Sequence, residues 1–343
     1  MANTISEAAQ IKINQLISRK LGVGHQQVAA AVALLDEGAT VPFIARYRKE
    51  VTSNLDDTHL RNLEERLLYL RELEERRAVI LASIEEQGKL TDELRGAIEA
   101  AATKQSLEDV YLPYKPKRRT RAQMAREAGL EPLADALFTD PTLEPEQEAA
   151  RYVNNKPAAE SGVPDMKAAL EGARDILSER FAETAELLAK LRARMWEQGV
   201  VTSRVMKGKE TAEEEKFRDY YDYSETIRTI PSHRALALFR GRSLDVLAIE
   251  LTLGDALEGA LPHPCVAMIA AHFGIEDRGR PADKWLADVC NWTWRLKAHP
   301  HISAELLMQL HEAAEAEAIK IFGRNLHELL LAAPAGPKAV LGL

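Results

Sequence analysis

The stretch DDTHLRNLEERLLYLRELEERRAVILASIEEQG, residues 56–88, decides the fold class. Its Leu60, Leu63, Leu67, Leu70, Leu73 and Ile80 recur at steps of three, four and seven, which places them on one face of a helix with 3.6 residues per turn. Asp56 or Asp57 supplies the N-cap and Gly88 the stop, so the pattern predicts a helix of about eight turns ending near Gln87.

The same period extends in both directions. Ile5, Ala9, Ile13, Leu16, Ile17 and Leu21 predict a first helix closed by Gly22, and Val28, Ala31, Val32 and Leu35 a second from about His25. The second stops at Glu37-Gly38-Ala39-Thr40, and a third starts with Pro42 in its first turn, which makes a helix-turn-helix over about residues 25–50. Thr91 restarts helix to about Thr103, Ser106-x-x-Asp109 resembles a capping box, and the pattern breaks at Pro113 and Pro116. Short helices are expected at Arg121–Ala128, Pro132–Phe138 and Pro145–Val153, and a long one from about Asp165 to Gln198.

After Gly199 the β-branched run Val200–Met206 reads as a strand, and Leu244–Leu251 as a second. Helices are expected at Ser232–Phe239, Pro264–Phe273, Ala282–Leu296 and Ser303–Leu331. The fold class is therefore mainly α, an elongated multi-helix architecture with a small β insertion around 200–251. The expected organisation is a helical region 1–199, a small mixed region 200–253, a helical region 254–333, and a linker with an opening strand at 334–343.

The chain has 343 residues, 46% hydrophobic and 29% charged, the composition of an ordinary soluble globular protein. Its 53 Asp and Glu against 45 Lys and Arg give a net charge of −8, which excludes a uniformly basic nucleic-acid coat and restricts any polyanion contact to local patches. Only Cys265 and Cys290 occur, too few for a secreted disulfide framework, so a reducing cytoplasmic compartment is expected. The first twenty residues lack an apolar signal core, and no apolar run reaches the ~18 residues of a membrane span.

Three segments carry candidate chemistry. In Val41–Glu50 the cations Arg46, Arg48 and Lys49 accompany Phe43, Ile44 and Tyr47, as on a recognition helix that offers charge to phosphates; cations closing a helix C-terminus are the plainer alternative. In Leu107–Arg121, Lys115, Lys117, Arg118, Arg119 and Arg121 form a dense basic run that Pro113 and Pro116 keep out of helix. There Tyr111 and Tyr114 stand ready to stack on bases, a pattern suited to an irregular or single-stranded phosphate backbone. In Pro231–Arg242, Arg234, Arg240 and Arg242 surround a short helix and either bind phosphate or pair with nearby carboxylates.

Enzyme chemistry finds little support. Ser232 and His233 are adjacent, so on a helix they point about 100° apart and cannot form a triad; Ser232 reads as an N-cap. His263, Cys265, His272, Cys290, His299 and His301 lack metal-ligand spacing, Gly22-x-Gly24 has Gln27 where a third glycine would stand, and Trp292 and Trp294 read as core and cap. No catalytic residue, metal or cofactor is expected.

Together, Val41–Glu50, Leu107–Thr120, Pro231–Gly241 and the ending Leu329–Pro337 resemble the bacterial Tex family of transcription accessory proteins, in the same order along the whole chain. A eukaryotic elongation factor and histone chaperone with the same core is a more distant likeness. The resemblance implies a protein roughly twice this length, in which a helical half with a helix-turn-helix precedes an RNase-H-like domain, helix-hairpin-helix repeats and an OB-fold RNA-binding domain. On that reading Lys338–Leu343 opens the RNase-H-like α/β domain and the chain is truncated there. The function it implies is a non-enzymatic RNA- or DNA-binding transcription accessory factor, and a monomer is expected. The alternative is a docking module for RNA polymerase or ribosomal partners.

Overall fold

The computed structural model describes residues 6–115, 120–154, 162–206, 215–254, 262–333 and 336. The chain divides into two compact units, residues 1–116 and 117–343. The division falls inside the basic run. Its Lys117, Arg118 and Arg119, and the expected strand Lys338–Leu343, lie outside the described residues.

The first unit is helical. Its helices are α1 (Glu7–Leu21), α2 (His25–Asp36), α3 (Val41–Tyr47), α4 (Asp57–Glu86), α5 (Asp92–Ala100) and α6 (Lys104–Tyr111). Asp56 caps α4 by accepting the His59 N–H at 2.7 Å. The predicted stripe Leu60, Leu63, Leu67, Leu70, Leu73 and Ile80 is buried, joined by Ile84. α1, α2, α3, α5 and α6 all pack on this helix, so one apolar face anchors the unit. Arg77 ties this helix to the end of α5: Nε and Nη2 donate to the Ile98 and Ala101 carbonyls at 3.1 and 2.7 Å, and Nη1 pairs with Glu74.

In the second unit α7 (Arg121–Glu127), α8 (Glu131–Thr139) and α9 (Pro145–Ala150) pack against α10 (Met166–Ala182). After α11 (Ala185–Gln198) comes a three-stranded antiparallel sheet of β1 (Val200–Val205), β2 (Asp222–Thr226) and β3 (Leu247–Thr252), in the order β2-β1-β3. Val201 lies opposite Glu225 on one side and Leu251 on the other. α12 (Ser232–Ser243) connects β2 to β3. α13 (Pro264–His272), α14 (Asp283–Thr293), a π-helical turn Trp294–Ala298 and α15 (His299–Leu330) follow. Phe181 stacks on Phe273 at 3.8 Å, with Phe138 edge-on to both.

The mainly helical fold with a small sheet agrees with the sequence expectation, and several boundaries differ for identifiable reasons. The sheet has a third strand, Asp222–Thr226, whose polar DYSET sequence carries no apolar alternation because none of its residues is fully buried. The strand expected from Leu244 starts at Leu247, since α12 runs on to Ser243 and the Val246 N–H returns to the Gly241 carbonyl at 2.9 Å. The helix expected over 165–198 is two helices, broken at Glu183-Thr184, where the Thr184 hydroxyl turns back to the Arg180 carbonyl. The capping box at α6 pairs Thr103 with Ser106, not Ser106 with Asp109, and Asp109 is buried. Pro231, not Ser232, stands in the N-cap position of α12. Gly241 explains how closely α12 meets β3: a Cβ there would lie 2.5 Å from Leu247 Cδ1.

Two outcomes test this packing. Leu63→Ala, at a fully buried position of the α4 stripe, should cost about 2–5 kcal/mol in urea unfolding. The second concerns Asp283 at the start of α14. The Arg280 side chain foremost, with the Arg280 and Arg278 N–H groups, holds its carboxyl from the ordinary 3.8 down to about 2. A carboxyl with a lowered folded-state pKa stabilises the fold above its unfolded value and loses that contribution as pH falls through the folded one. Urea titrations at stepped pH should therefore show Asp283→Asn less stable at neutral pH and shallower in its decline between about pH 4 and 2.

Candidate nucleic-acid interface

α3 is built by its own sequence. Thr40 precedes it in an extended conformation, Pro42 fits the first turn, and Val41 and Ile44 are buried in the core that contains the α4 stripe. The remaining positions face water: Phe43 is 41% exposed and Tyr47 62%, with ring centroids 5.5 Å apart. The helix ends at Tyr47. Arg46 lies in its last turn, Arg48 closes it, and Lys49 belongs to the following loop, so the expected recognition helix over 41–50 ends at Tyr47 and its last cations stand on a turn.

That turn is held in place. The Thr52 and Asn54 N–H groups donate to the Arg48 and Lys49 carbonyls at 3.2 and 2.8 Å, and Ser53 and Asn54 take left-handed backbone angles. Thr52 and Leu55 are buried beneath it. Gln27, at the start of α2, accepts the Gly24 N–H through Oε1 at 2.8 Å, and its Nε2 donates to the Thr52 and Ser53 carbonyls at 3.3 and 2.8 Å. One side chain thus joins the N-terminus of α2 to the loop that presents Arg48 and Lys49. Neither composition nor spacing marks Gln27 for this role. The αL-prone Asn54 is the one local signal that the helix has stopped.

Arg46, Arg48 and Lys49 are exposed, and among the described residues none of them forms a salt bridge. Arg48 lies over the Phe43 ring with Cζ 5.5 Å from the centroid. Other arginines of this unit are committed: Arg71 grips Asp36 with two bonds at 2.6 and 2.8 Å, and Arg76 reaches Glu108. Arg48 also donates through Nη1 to the Tyr47 carbonyl at 3.3 Å, and no carboxylate among the described residues neutralises these three cations.

The second segment is divided. Tyr111 is buried, its hydroxyl 3.0 Å from Ser83 Oγ. Tyr114 is half-buried against the first unit's core, and its carbonyl accepts Gln87 Nε2 at 3.0 Å. Lys115 is exposed at the end of that unit, and Arg121 is exposed at the first position of α7, where Thr120 caps the helix and bonds Glu179.

The third segment separates as well. Arg234 pairs with Glu225 at 3.2 Å beside Tyr223, which bonds the same carboxylate; burial first, and then Glu225, push the Tyr223 hydroxyl up to about 12. That trio ties β2 to α12. Arg240 and Arg242 remain exposed at the rim of an open groove between α12 and α15, with Arg242 over the Phe239 ring at 5.0 Å. Among the described residues no group of three or more His, Cys, Asp or Glu is placed to hold a metal ion, and no helix is long and apolar enough to cross a membrane. Cys265 and Cys290 are buried, and burial raises the Cys290 thiol to about 12.

Comparison with known proteins matches residues 11–85 to a Tex-like protein N-terminal domain and residues 140–322 to a Tex central region-like domain. The chain is 56% identical over 332 residues to Protein tex of Bordetella pertussis, covering 95% of this chain and 41% of that protein. It is 52% identical over 334 residues to Transcriptional accessory protein Tex of Neisseria gonorrhoeae, covering 97% and 43%. A human protein, S1 RNA-binding domain-containing protein 1, is 29% identical over 362 residues, covering 100% and 35%. The chain thus spans about two fifths of the length of these bacterial relatives.

Gln27→Ala should release the loop after α3 at a cost of about 1 kcal/mol for the lost bonds. Hydrogen exchange should quicken at the Asn54 amide, which bonds the Lys49 carbonyl, while the α4 amides keep their protection.

Proposed function

The chain belongs to the Tex family, and from that premise we propose that it serves transcription as a non-enzymatic, nucleic-acid-binding scaffold. Its contact with RNA or DNA is made to phosphates by local basic segments, without base-specific readout. The observation that carries this reading is the exposed set Arg46, Arg48 and Lys49, without a salt bridge among the described residues, beside the exposed rings of Phe43 and Tyr47. Lys115, Lys117, Arg118, Arg119 and Arg121 form a second basic segment to which we assign the same chemistry. Arg240 contributes where it borders the α12–α15 groove, whereas Arg234 is held by Glu225 and contributes least. Relatives named as a transcriptional accessory protein and as an RNA-binding-domain protein support the assignment of partner. The assignment includes a monomer at work in the cytoplasm.

A second reading is favoured by one observation. On the distal half of α15, Ile319, Phe322, Leu326, Leu329 and Leu330 are all exposed and recur at three and four residues, an apolar stripe suited to helix packing. In that reading the chain docks RNA polymerase or another transcription or translation partner.

Anisotropy titrations of labelled oligonucleotides over a salt series separate the two. Replacing Arg46, Arg48 and Lys49 together by Gln should flatten the log–log salt slope on single strands by about 2, at roughly 0.7 per phosphate contact. Arg118→Glu with Arg119→Glu should weaken binding further. Absence of salt-dependent binding by the unaltered chain at micromolar concentration would sink the nucleic-acid reading. Capture of purified RNA polymerase that depends on Phe322 and Leu326 would then support docking.

A further inference from the structure

Tyr47 stands at the last position of α3 and Phe43 one turn earlier, on the side of the helix away from the buried Val41 and Ile44. Among the described residues of the first unit, Tyr47 is the most exposed phenylalanine or tyrosine. The other tyrosines there serve the fold. The Tyr69 hydroxyl accepts the Lys104 N–H at 3.3 Å, the Tyr111 hydroxyl bonds Ser83, and Tyr114 packs on the core. Cations lie over the rings of Phe43, Tyr69 and Tyr111, whereas among the described residues none lies over Tyr47 and nothing bonds its hydroxyl. Its ring is oriented by the helix and by tilted contact with Phe43, and its surface is otherwise left to water.

The surroundings suit an anion and do not suit the reading of base edges. Arg46 precedes Tyr47 and Arg48 follows it, and the Arg48 guanidinium is held beside the rings by the Tyr47 carbonyl and the Phe43 face. A recognition helix in a duplex reads base edges in the major groove from its N-terminal positions. In α3 those positions are Val41, which is buried, Pro42, which has no N–H, and Phe43, whose ring carries neither donor nor acceptor. The seven-residue helix is only about 10 Å long, and its cations come at and after its end. What α3 offers is ring surface. A ring takes a base by its face, and base faces are open in a single strand but stacked on one another in a duplex, where extruding one costs a few kcal/mol.

We infer that Tyr47, backed by Phe43, is a stacking platform for an unpaired nucleobase, and that Arg46, Arg48 and Lys49 hold the neighbouring phosphates. The inference rests on the nucleic-acid reading above and adds to it a base-contacting residue and a preference for single strands over duplex. Charge alone favours the duplex, which carries more phosphates per unit length, so the ring is what supplies the opposite preference. Stacking accepts any base because every base has a π face, and it therefore needs no base-specific readout. RNA and DNA strands share this chemistry.

Anisotropy of labelled oligouridylate, oligothymidylate, an abasic strand of the same length and an oligoadenylate–oligothymidylate duplex, each with the full chain, tests the platform. Tyr47→Ala should weaken binding of both base-bearing strands about 5- to 150-fold, the range for one lost stack, while the abasic strand and the duplex bind as they do to the unaltered chain. Tyr47→Leu, which keeps apolar bulk in the helix, should lose as much, and Tyr47→Phe, which keeps the ring, should restore the affinity. Unchanged affinity of the Ala and Leu variants for the base-bearing strands overturns the inference. So does an equal loss on the abasic strand, which would make the ring a prop for the cations, and so does a loss confined to one of the two base-bearing strands. If the Tyr47 variants bind unchanged while the Arg46, Arg48 and Lys49 variant loses its salt slope, the function proposed above stands and the platform alone falls. If the unaltered chain binds no strand, both fall.

Discussion

Burial of one aliphatic stripe organises the first unit. Leu60, Leu63, Leu67, Leu70, Leu73, Ile80 and Ile84 line a single face of α4, and five other helices take their positions by covering it. Each such side chain is worth about 1.5–3 kcal/mol when withdrawn from water, far more than any surface ion pair in the unit. The short helix α3 depends on this arrangement most. Seven residues cannot hold a helix in water alone, so Val41 and Ile44 must be buried for Arg46, Arg48 and Lys49 to be presented at all.

The second unit repeats the plan with different chemistry. α10 is its packed centre, flanked by α7, α8, α9, α14 and the π turn, and its Phe181 sits in an aromatic cluster with Phe138 and Phe273. Polar links then set the angles between elements. Glu179 receives Arg126 and the Thr120 cap, and the Tyr223–Glu225–Arg234 trio joins β2 to α12. These links divide the arginines into those that hold the fold and those that face outward, a division on which any electrostatic function of the protein depends. A net charge of −8 is compatible with phosphate contact because the outward cations are concentrated in a few places.

Much of this was legible in the chain. The eight-turn helix appeared from its leucine spacing, with Asp56 or Asp57 as its cap, and the helix-turn-helix from Gly38 and Pro42, because periodicity and capping act within a few residues of each position. The Tex resemblance over the whole length agrees with the family to which the chain belongs. Less legible were the edge strand Asp222–Thr226, which has no apolar alternation to betray it, and the break at Thr184, where a single hydroxyl competes with the helix ladder.

By itself, then, the sequence determined the helical class, the principal core stripe, and the inventory of basic segments, since each follows from local spacing and residue type. Only the tertiary structure decided which of those cations are free. Arg234 and Arg46 look alike in sequence, yet one meets Glu225 across a strand and the other meets no carboxylate among the described residues. It also laid Arg174 on the ring of Trp292, 118 positions further along the chain. Electrostatic energy depends on distance through space, and the order of residues along the chain does not encode that distance.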